Sequence, residues 1–337
     1  MSNLEQAPVE RAVCDGPAPD DTPRAEVLDP REVPLGGPRA MPVLRSLPNR
    51  DRRMVGAWCF ADTYGPTDIT ERAGMRVPPH PHIGLQTVSW LVEGQVRHHD
   101  SLGNAQVVRP GELNLMTAGR GIAHSEESPP DATPILHGVQ LWVALPESDR
   151  NGAPAFAHHA DLPRLSAPGG TTTVLMGRVG DAVSPARAYT PLMGAEVALT
   201  GAEGVRLPLD TAYEHAVLAL DAPLAVRGHR ITAGTMLYLG RGGRELEITA
   251  ESPAHALVIG GEPFEEPLVM WWNLVGRTHE EIVAARADWE ADRVAADPAS
   301  RFGVVHGYDG APLPAPALPN AHLRARPRYR PHPGRPG

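Results

Sequence analysis

Short apolar runs dominate the middle of the chain: TVSWLV (87–92), LNLMTA (113–118), GVQLWVAL (138–145), HAVLAL (215–220) and HALVIGG (255–261). Each is bounded by Gly, Pro, Asn or Asp. Runs of this length between turn residues suit strands and are too short for most helices. Many such strands, separated by turn chemistry, predict an all-β barrel or sandwich. The 34 Gly and 37 Pro among 337 residues supply that punctuation. One segment departs from the pattern. RTHEEIVAARADWEADRVAA (277–296) spaces its apolar residues helically, and Thr278 and Glu281 stand at capping-box separation, which predicts a late helix.

The same punctuation divides the chain. Residues 1–37 are polar and Pro-rich with few large apolar side chains, so a flexible leader is expected. A first strand-rich unit spans 38–150, and a stretch rich in Pro, Asn and Gly (151–170) predicts an interdomain connection. A second strand-rich unit covers 171–276, the helix 277–296, and a Pro/Arg-rich tail 297–337. Composition gives that tail no reason to pack, so a solvated end is expected.

Several functions are excluded early. Every basic residue other than histidine is Arg, so lysine Schiff-base and P-loop chemistry have no residue to use. A formal charge of −9 argues against direct nucleic-acid binding, which needs clustered positive charge. Cys14 and Cys59 are too few for a disulfide framework. The sequence MSNLEQAPVERAV lacks a signal-peptide apolar core, and no segment approaches the ~20 apolar residues of a membrane span. A cytoplasmic protein that binds no membrane is the expectation.

Residues 78–90 read PPHPHIGLQTVSW. In a strand, alternate side chains share a face, so His80 and His82 project together while the prolines favour extended backbone. Such a pair alone is weak evidence for a metal, because histidines two apart occur by chance and often sit in wet loops. A second pair, His124 and Glu126 in GRGIAHSEE, again stands two residues apart after an apolar run. If the two strands face one another in a barrel, three imidazoles and one carboxylate converge. That donor set suits a divalent first-row metal and leaves coordination positions open.

HPHIGLQTVSWLVEG (80–94), RHHDSLGN (97–104) and PGELNLMTAGRGIAHSE (110–126) resemble successive signatures of the pirin family. The likeness extends to VGAWCFADTYGP (55–66), QLWVALP (140–146) and GGEPFEEPLV (260–269), and so covers most of residues 40–290. Gly74, six residues before His80, also gives the opening of the first cupin motif. The resemblance implies a bicupin: two stacked cupin β-barrels, with a C-terminal helix and disordered-looking termini here. It implies an N-terminal barrel that holds one divalent metal, Fe(II) first among Fe, Ni, Mn, Cu and Zn. The matching positions are His80, His82, His124 and Glu126, and the C-terminal barrel is expected to carry no metal.

Some pirins are similar to quercetin 2,3-dioxygenases, in which a flavonol binds the metal through its 3-oxygen and dioxygen cleaves the ring with release of carbon monoxide. This implies a small oxygenated substrate such as a flavonol, with Glu126 as proton acceptor. Other pirins imply a metal- or redox-responsive protein with a protein partner. Two departures stand out. Gln86 occupies the place of a family Glu after the histidine pair, and WWNLVGRTHEE (271–281) differs from the corresponding run of many relatives. Among the remaining histidines, His98 and His99 face opposite sides of a strand, so both cannot line one site. His158 and His159 are expected in solvent, and His215, His229 and His255 as isolated side chains. Trp90, Trp142 and Cys59 are expected in the core.

Overall fold

The computed structural model describes residues 25–35, 41–71, 74–325 and 328. It is an all-β bicupin in which each half repeats one plan, a seven-stranded antiparallel sheet facing a four-stranded one. In the N-terminal half the large sheet runs 155–159, 113–117, 85–93, 135–144, 58–68, 41–47 and 31–35 across its width. The small sheet is 76–82, 122–127, 96–100 and 105–108. In the C-terminal half the large sheet contains 26–28, 236–240, 214–219, 254–261, 192–199, 170–176 and 164–167, and the small one 205–208, 245–249, 224–226 and 229–231.

The two large sheets pack back to back, because their strands alternate between a face turned to their own barrel and a face turned to the other half. Val139, Leu141 and Val143 from one sheet share a core with Leu257, Ile259, Ala216 and Leu218 from the other. Trp58 crosses the seam, its indole N–H donating to the carbonyls of Met193 and Gly260, each at 3.1 Å. Gly194 makes that approach feasible, since a Cβ there would stand 2.9 Å from the Trp58 ring.

Where the structure describes them, the leader, the connection and the tail differ from the sequence expectation. Residues 1–24 lie outside the described region, but Glu26–Leu28 pairs with Met236–Gly240 of the C-terminal sheet and Arg31–Leu35 pairs with Met41–Leu47 of the N-terminal one. The described part of the leader, residues 25–35, therefore laces the two halves together. Buried Leu28 and Val33 hold it, and Arg52 ties Glu26 by paired hydrogen bonds while lying 3.4 Å above the Tyr238 ring. Within 151–170, the strand Ala155–His159 belongs to the N-terminal sheet and Arg164–Ala167 to the C-terminal one. The crossing itself is confined to residues 160–163.

The predicted helix spans His279–Ala295, and its N-cap Thr278 accepts the Glu281 backbone N–H at 3.2 Å. Ile282, Ala285 and Trp289 face inward, over a hairpin of Val269–Trp271 and Leu274–Gly276. The described part of the tail that follows, residues 297–325, packs back on the fold. Phe302 and Leu323 are buried, the Trp289 indole donates to the Leu313 carbonyl at 2.8 Å, and Leu313 N–H donates to Pro79 O at 2.8 Å. Beyond it, buried Arg328 pairs with buried Glu214. A few apolar anchors and backbone hydrogen bonds stabilise a segment whose average composition shows no periodicity.

Candidate metal centre

Strand pairing sets the site. Ile122–Glu127 lies between Arg76–His82 and Val96–Asp100, with His124 opposite His80 on one side and opposite Asp100 on the other. Residues directly opposite on antiparallel strands share a face. His80, His82, His124 and Glu126 therefore line the inside of the N-terminal barrel, together with His98 and Asp100. The alternate residues Ile83 and Ala123 point outward into the layer made by the helix, the hairpin and the tail.

The structure gathers the donors as two triads that share one histidine. Ligating atoms of His80, His82 and His124 lie within 4.8 Å of one another, and so do those of His98, His124 and Glu126. Glu126 thus joins through His124 and not with all three imidazoles at once. A bulge explains the offset: the register slips between His124 and Glu126, which puts Glu126 opposite Val77. Bulges re-aim side chains in this way beside functional sites. His98 is the residue that sequence reasoning missed. The two-face argument for His98 and His99 holds, but only the register Glu126↔His98 reveals which of the pair points inward.

Each imidazole is oriented from behind. His80 Nδ1–H donates to Pro78 O at 2.8 Å and His82 Nδ1–H to Asn273 O at 3.0 Å. Both leave Nε2 with a free lone pair. His80 Nε2 is fully buried with no hydrogen-bond partner, and His82 Nε2 stands 3.1 Å from His124 Nε2. The Asn273 carbonyl comes from the turn of the 269–276 hairpin, which passes through Trp272 at φ +53°, a conformation rarely adopted by bulky residues. The run WWNLVGRTHEE, one of the two departures noted in the sequence, braces a site histidine through its backbone. Its hairpin also bonds Val275 N–H to Ile83 O at 3.2 Å.

The electrostatics suit a cation. Burial drives His80 and His124 well below the ordinary histidine range and His82 down to about 3, with neighbouring imidazoles adding repulsion at His80 and His124. All three are neutral at physiological pH, which is the state that ligates metal. Glu126 is 2% exposed, with the Ser89 hydroxyl 3.4 Å from its Oε1; the single Ser89 proton is closer to Gln140 Oε1, at 2.8 Å. Burial and the nearby Glu126 charge push the Tyr64 phenol well above its usual value, so it stays protonated beside the carboxylate. Trp142 stacks on Phe60 at 4.0 Å and meets His82 edge-on at 5.2 Å, so this core tryptophan also walls the site. A partnerless His80 Nε2 beside the Nε2 atoms of His82 and His124, all on neutral rings that converge on one buried point, fits a divalent metal better than a hydrogen-bonded core.

The other singled-out residues fall elsewhere. Gln86 sits on the opposite face of its strand and donates to Thr117 Oγ1 at 3.0 Å and Arg187 O at 3.1 Å, in the layer between the halves. Its replacement of a carboxylate therefore does not touch the cluster. His158, expected in solvent, is held on the edge strand of the N-terminal sheet with Nδ1 2.7 Å from Asn114 Oδ1. His255 Nδ1 bonds Asp221 at 2.6 Å. Trp90 and Cys59 lie in the shared core.

Comparison with known proteins places this geometry. Residues 40–143 match the Pirin family model and residues 194–295 the Pirin C-terminal cupin domain. A Pseudomonas aeruginosa protein named "Putative quercetin 2,3-dioxygenase" is 42% identical over 324 residues, covering 95% of this chain and 98% of its own length. A pirin-like protein of Caulobacter vibrioides is 34% identical over 80% of this chain and 93% of its own. The crystal structure of a quercetin 2,3-dioxygenase from Acinetobacter baumannii superposes with a TM-score of 0.83 at 42% identity, covering 89% of this chain and 97% of that one.

Proposed function

The chain belongs to the pirin family, and from that premise we propose that it is a metal-dependent, quercetin 2,3-dioxygenase-type protein acting on a flavonol or similar small oxygenated molecule. The observation that carries this reading is the buried His80, His82 and His124 triad with Glu126 adjoining through His124. These four residues would hold one divalent ion, Fe(II) in first place, although the same donors accept Ni, Mn, Cu or Zn. When bound, such an ion supplies Lewis acidity that lowers the pKa of a substrate hydroxyl and orients it.

The protein's own groups do the rest. Glu126, placed off the three-imidazole centre by its bulge, accepts the hydroxyl proton. The Ser89 hydroxyl, 3.4 Å from Glu126 Oε1, lies beside that carboxylate, and acid-base work and ligation fall on one residue. Trp142, edge-on to His82 at 5.2 Å, gives the site an apolar aromatic wall. With His80, His82 and His124 fully buried, water is kept from the centre.

The same burial favours a second reading, a metal- or redox-responsive protein whose partners sense the oxidation state of an ion that never meets a large substrate. One assay separates the two. Protein loaded anaerobically with Fe(II) is mixed with quercetin and oxygen: the dioxygenase reading predicts loss of flavonol absorbance with stoichiometric carbon monoxide. Bound iron with neither change would favour the sensing role.

A further inference from the structure

We propose that His98 and Asp100 are positioning residues, a carboxylate–imidazole relay that locks His124 in the tautomer able to offer Nε2 to a cation. The proposal rests on the reading that the cluster binds metal, and extends it to two residues that are not among the four donors.

The relay is a continuous line of short contacts. His124 Nδ1 lies 3.3 Å from His98 Nδ1, and His98 Nε2 lies 3.2 Å from Asp100 Oδ2. All three side chains are buried. Only one proton arrangement satisfies this line when His124 Nε2 donates its lone pair. His124 must then carry its proton on Nδ1 and give it to His98 Nδ1. That leaves the His98 proton on Nε2, where Asp100 accepts it. Every nitrogen along the line has a complementary neighbour, and the tautomer of the ligand is fixed by an anion two contacts away.

The far end is anchored independently of any ligand. Asp100 Oδ1 accepts the backbone N–H groups of Leu102 at 2.9 Å and Asn104 at 3.0 Å, and the Asn104 side chain donates to both carboxylate oxygens. Phe156 stacks on the His98 ring at 4.7 Å with an 18° interplanar angle, which fixes the ring plane. The turn after the strand Val96–Asp100 therefore dictates, through Asp100 and His98, where the His124 lone pair points.

The three imidazoles are supported unequally. Neutral carbonyls back His80 and His82, whereas His124 is backed by a chain that ends in a carboxylate. A ligand with an anionic relay behind it is the more electron-rich donor, and outer partners of this kind typically carry about 10–100-fold in metal affinity. Such a donor also favours the ferric over the ferrous ion, so removing the relay raises the reduction potential.

The test compares His98→Phe, which keeps a stacking ring but ends the relay, with His98→Gln, whose amide can accept from His124 and donate to Asp100. Fe(II) affinity is measured by chelator competition, iron per chain at saturation by elemental analysis, and midpoint potential by redox titration of full-length protein. Expected for His98→Phe are a roughly 10–100-fold weaker affinity, unchanged stoichiometry at saturation and an upward potential shift, with His98→Gln restoring most of both. Asp100→Asn should move potential and affinity in the same direction. Unchanged affinity and potential in His98→Phe overturn the relay while leaving the metal reading intact. Loss of one of two bound ions overturns it by making His98 a ligand. Wild-type protein that takes up neither Fe(II) nor Ni, Mn, Cu or Zn overturns the relay and the metal reading together.

Discussion

The two barrels share strand number and sheet order, yet their interiors are chemical opposites. Facing sheets of the C-terminal barrel meet through Val205, Leu207, Leu224, Val226, Leu246 and Ile248 on one side and Val197, Val217 and Val258 on the other. The equivalent small sheet of the N-terminal barrel turns His80, His82, His98, His124, Glu126 and Asp100 inward. One interior derives its stability from burying hydrocarbon. The other gives up part of that stabilisation to keep polar groups dry and oriented, and its neighbours Ser89, Gln140 and the Asn273 carbonyl offset the loss by hydrogen bonding. Fold alone does not make a site; the identity of alternate residues on four short strands does.

The comparison breaks most sharply if the hydrocarbon barrel tolerates a polar group. Val258→Asp places a carboxyl among the aliphatic side chains of that cluster. It should destabilise by about 4 kcal/mol or more, read as a large drop in denaturation midpoint. A mild effect would mean the C-terminal interior is wetter than its side chains indicate.

Acid should strike the other barrel. An unfolded histidine protonates near 6.5, whereas folded His82 does so only near about 3. Between those values the unfolded chain binds more protons, so the metal-free protein's stability is intact above pH 6.5 and falls as pH drops toward 3. The slope reaches about 1.4 kcal/mol per pH unit for each imidazole involved. Thermal melts of metal-free protein across that window should show the loss, and His82→Gln should flatten it. A wild-type melting temperature that is constant from pH 6.5 to 4 would contradict the burial of neutral imidazoles.

The smallest effect is expected where the sequence departs from its family. Since Gln86 faces Thr117 and the Arg187 carbonyl, Gln86→Glu should leave metal affinity within about twofold, as expected of a group outside the donor set's hydrogen-bonded support. Chelator competition checks this, and a tenfold change would place residue 86 in contact with the cluster.

Much of this was legible in the chain itself, for identifiable reasons. Paired donors two residues apart, His80/His82 and His124/Glu126, announce a shared strand face because strand periodicity is local. Thr278 and Glu281 mark the helix start for the same reason. What escaped depends on pairing between distant segments. His98 and His99 are symmetric in sequence until the register with Glu126 selects one. Asn273 acts through its backbone carbonyl, so its side chain carries no signal. The strands Glu26–Leu28 and Arg31–Leu35 are too short for any periodicity to stand out within a polar leader. The tail's anchors, Phe302 and Leu323, are single apolar residues separated by Pro-rich chain.

The most direct test of a divided molecule is metal content by elemental analysis after anaerobic Fe(II) reconstitution, on His80→Ala/His82→Ala and on His229→Ala/His255→Ala. The account predicts one iron per chain in the second variant and in wild type, and less than about a tenth of that in the first, as befits loss of two ligands of one site. Iron retained by the first variant, or lost from the second, would contradict it.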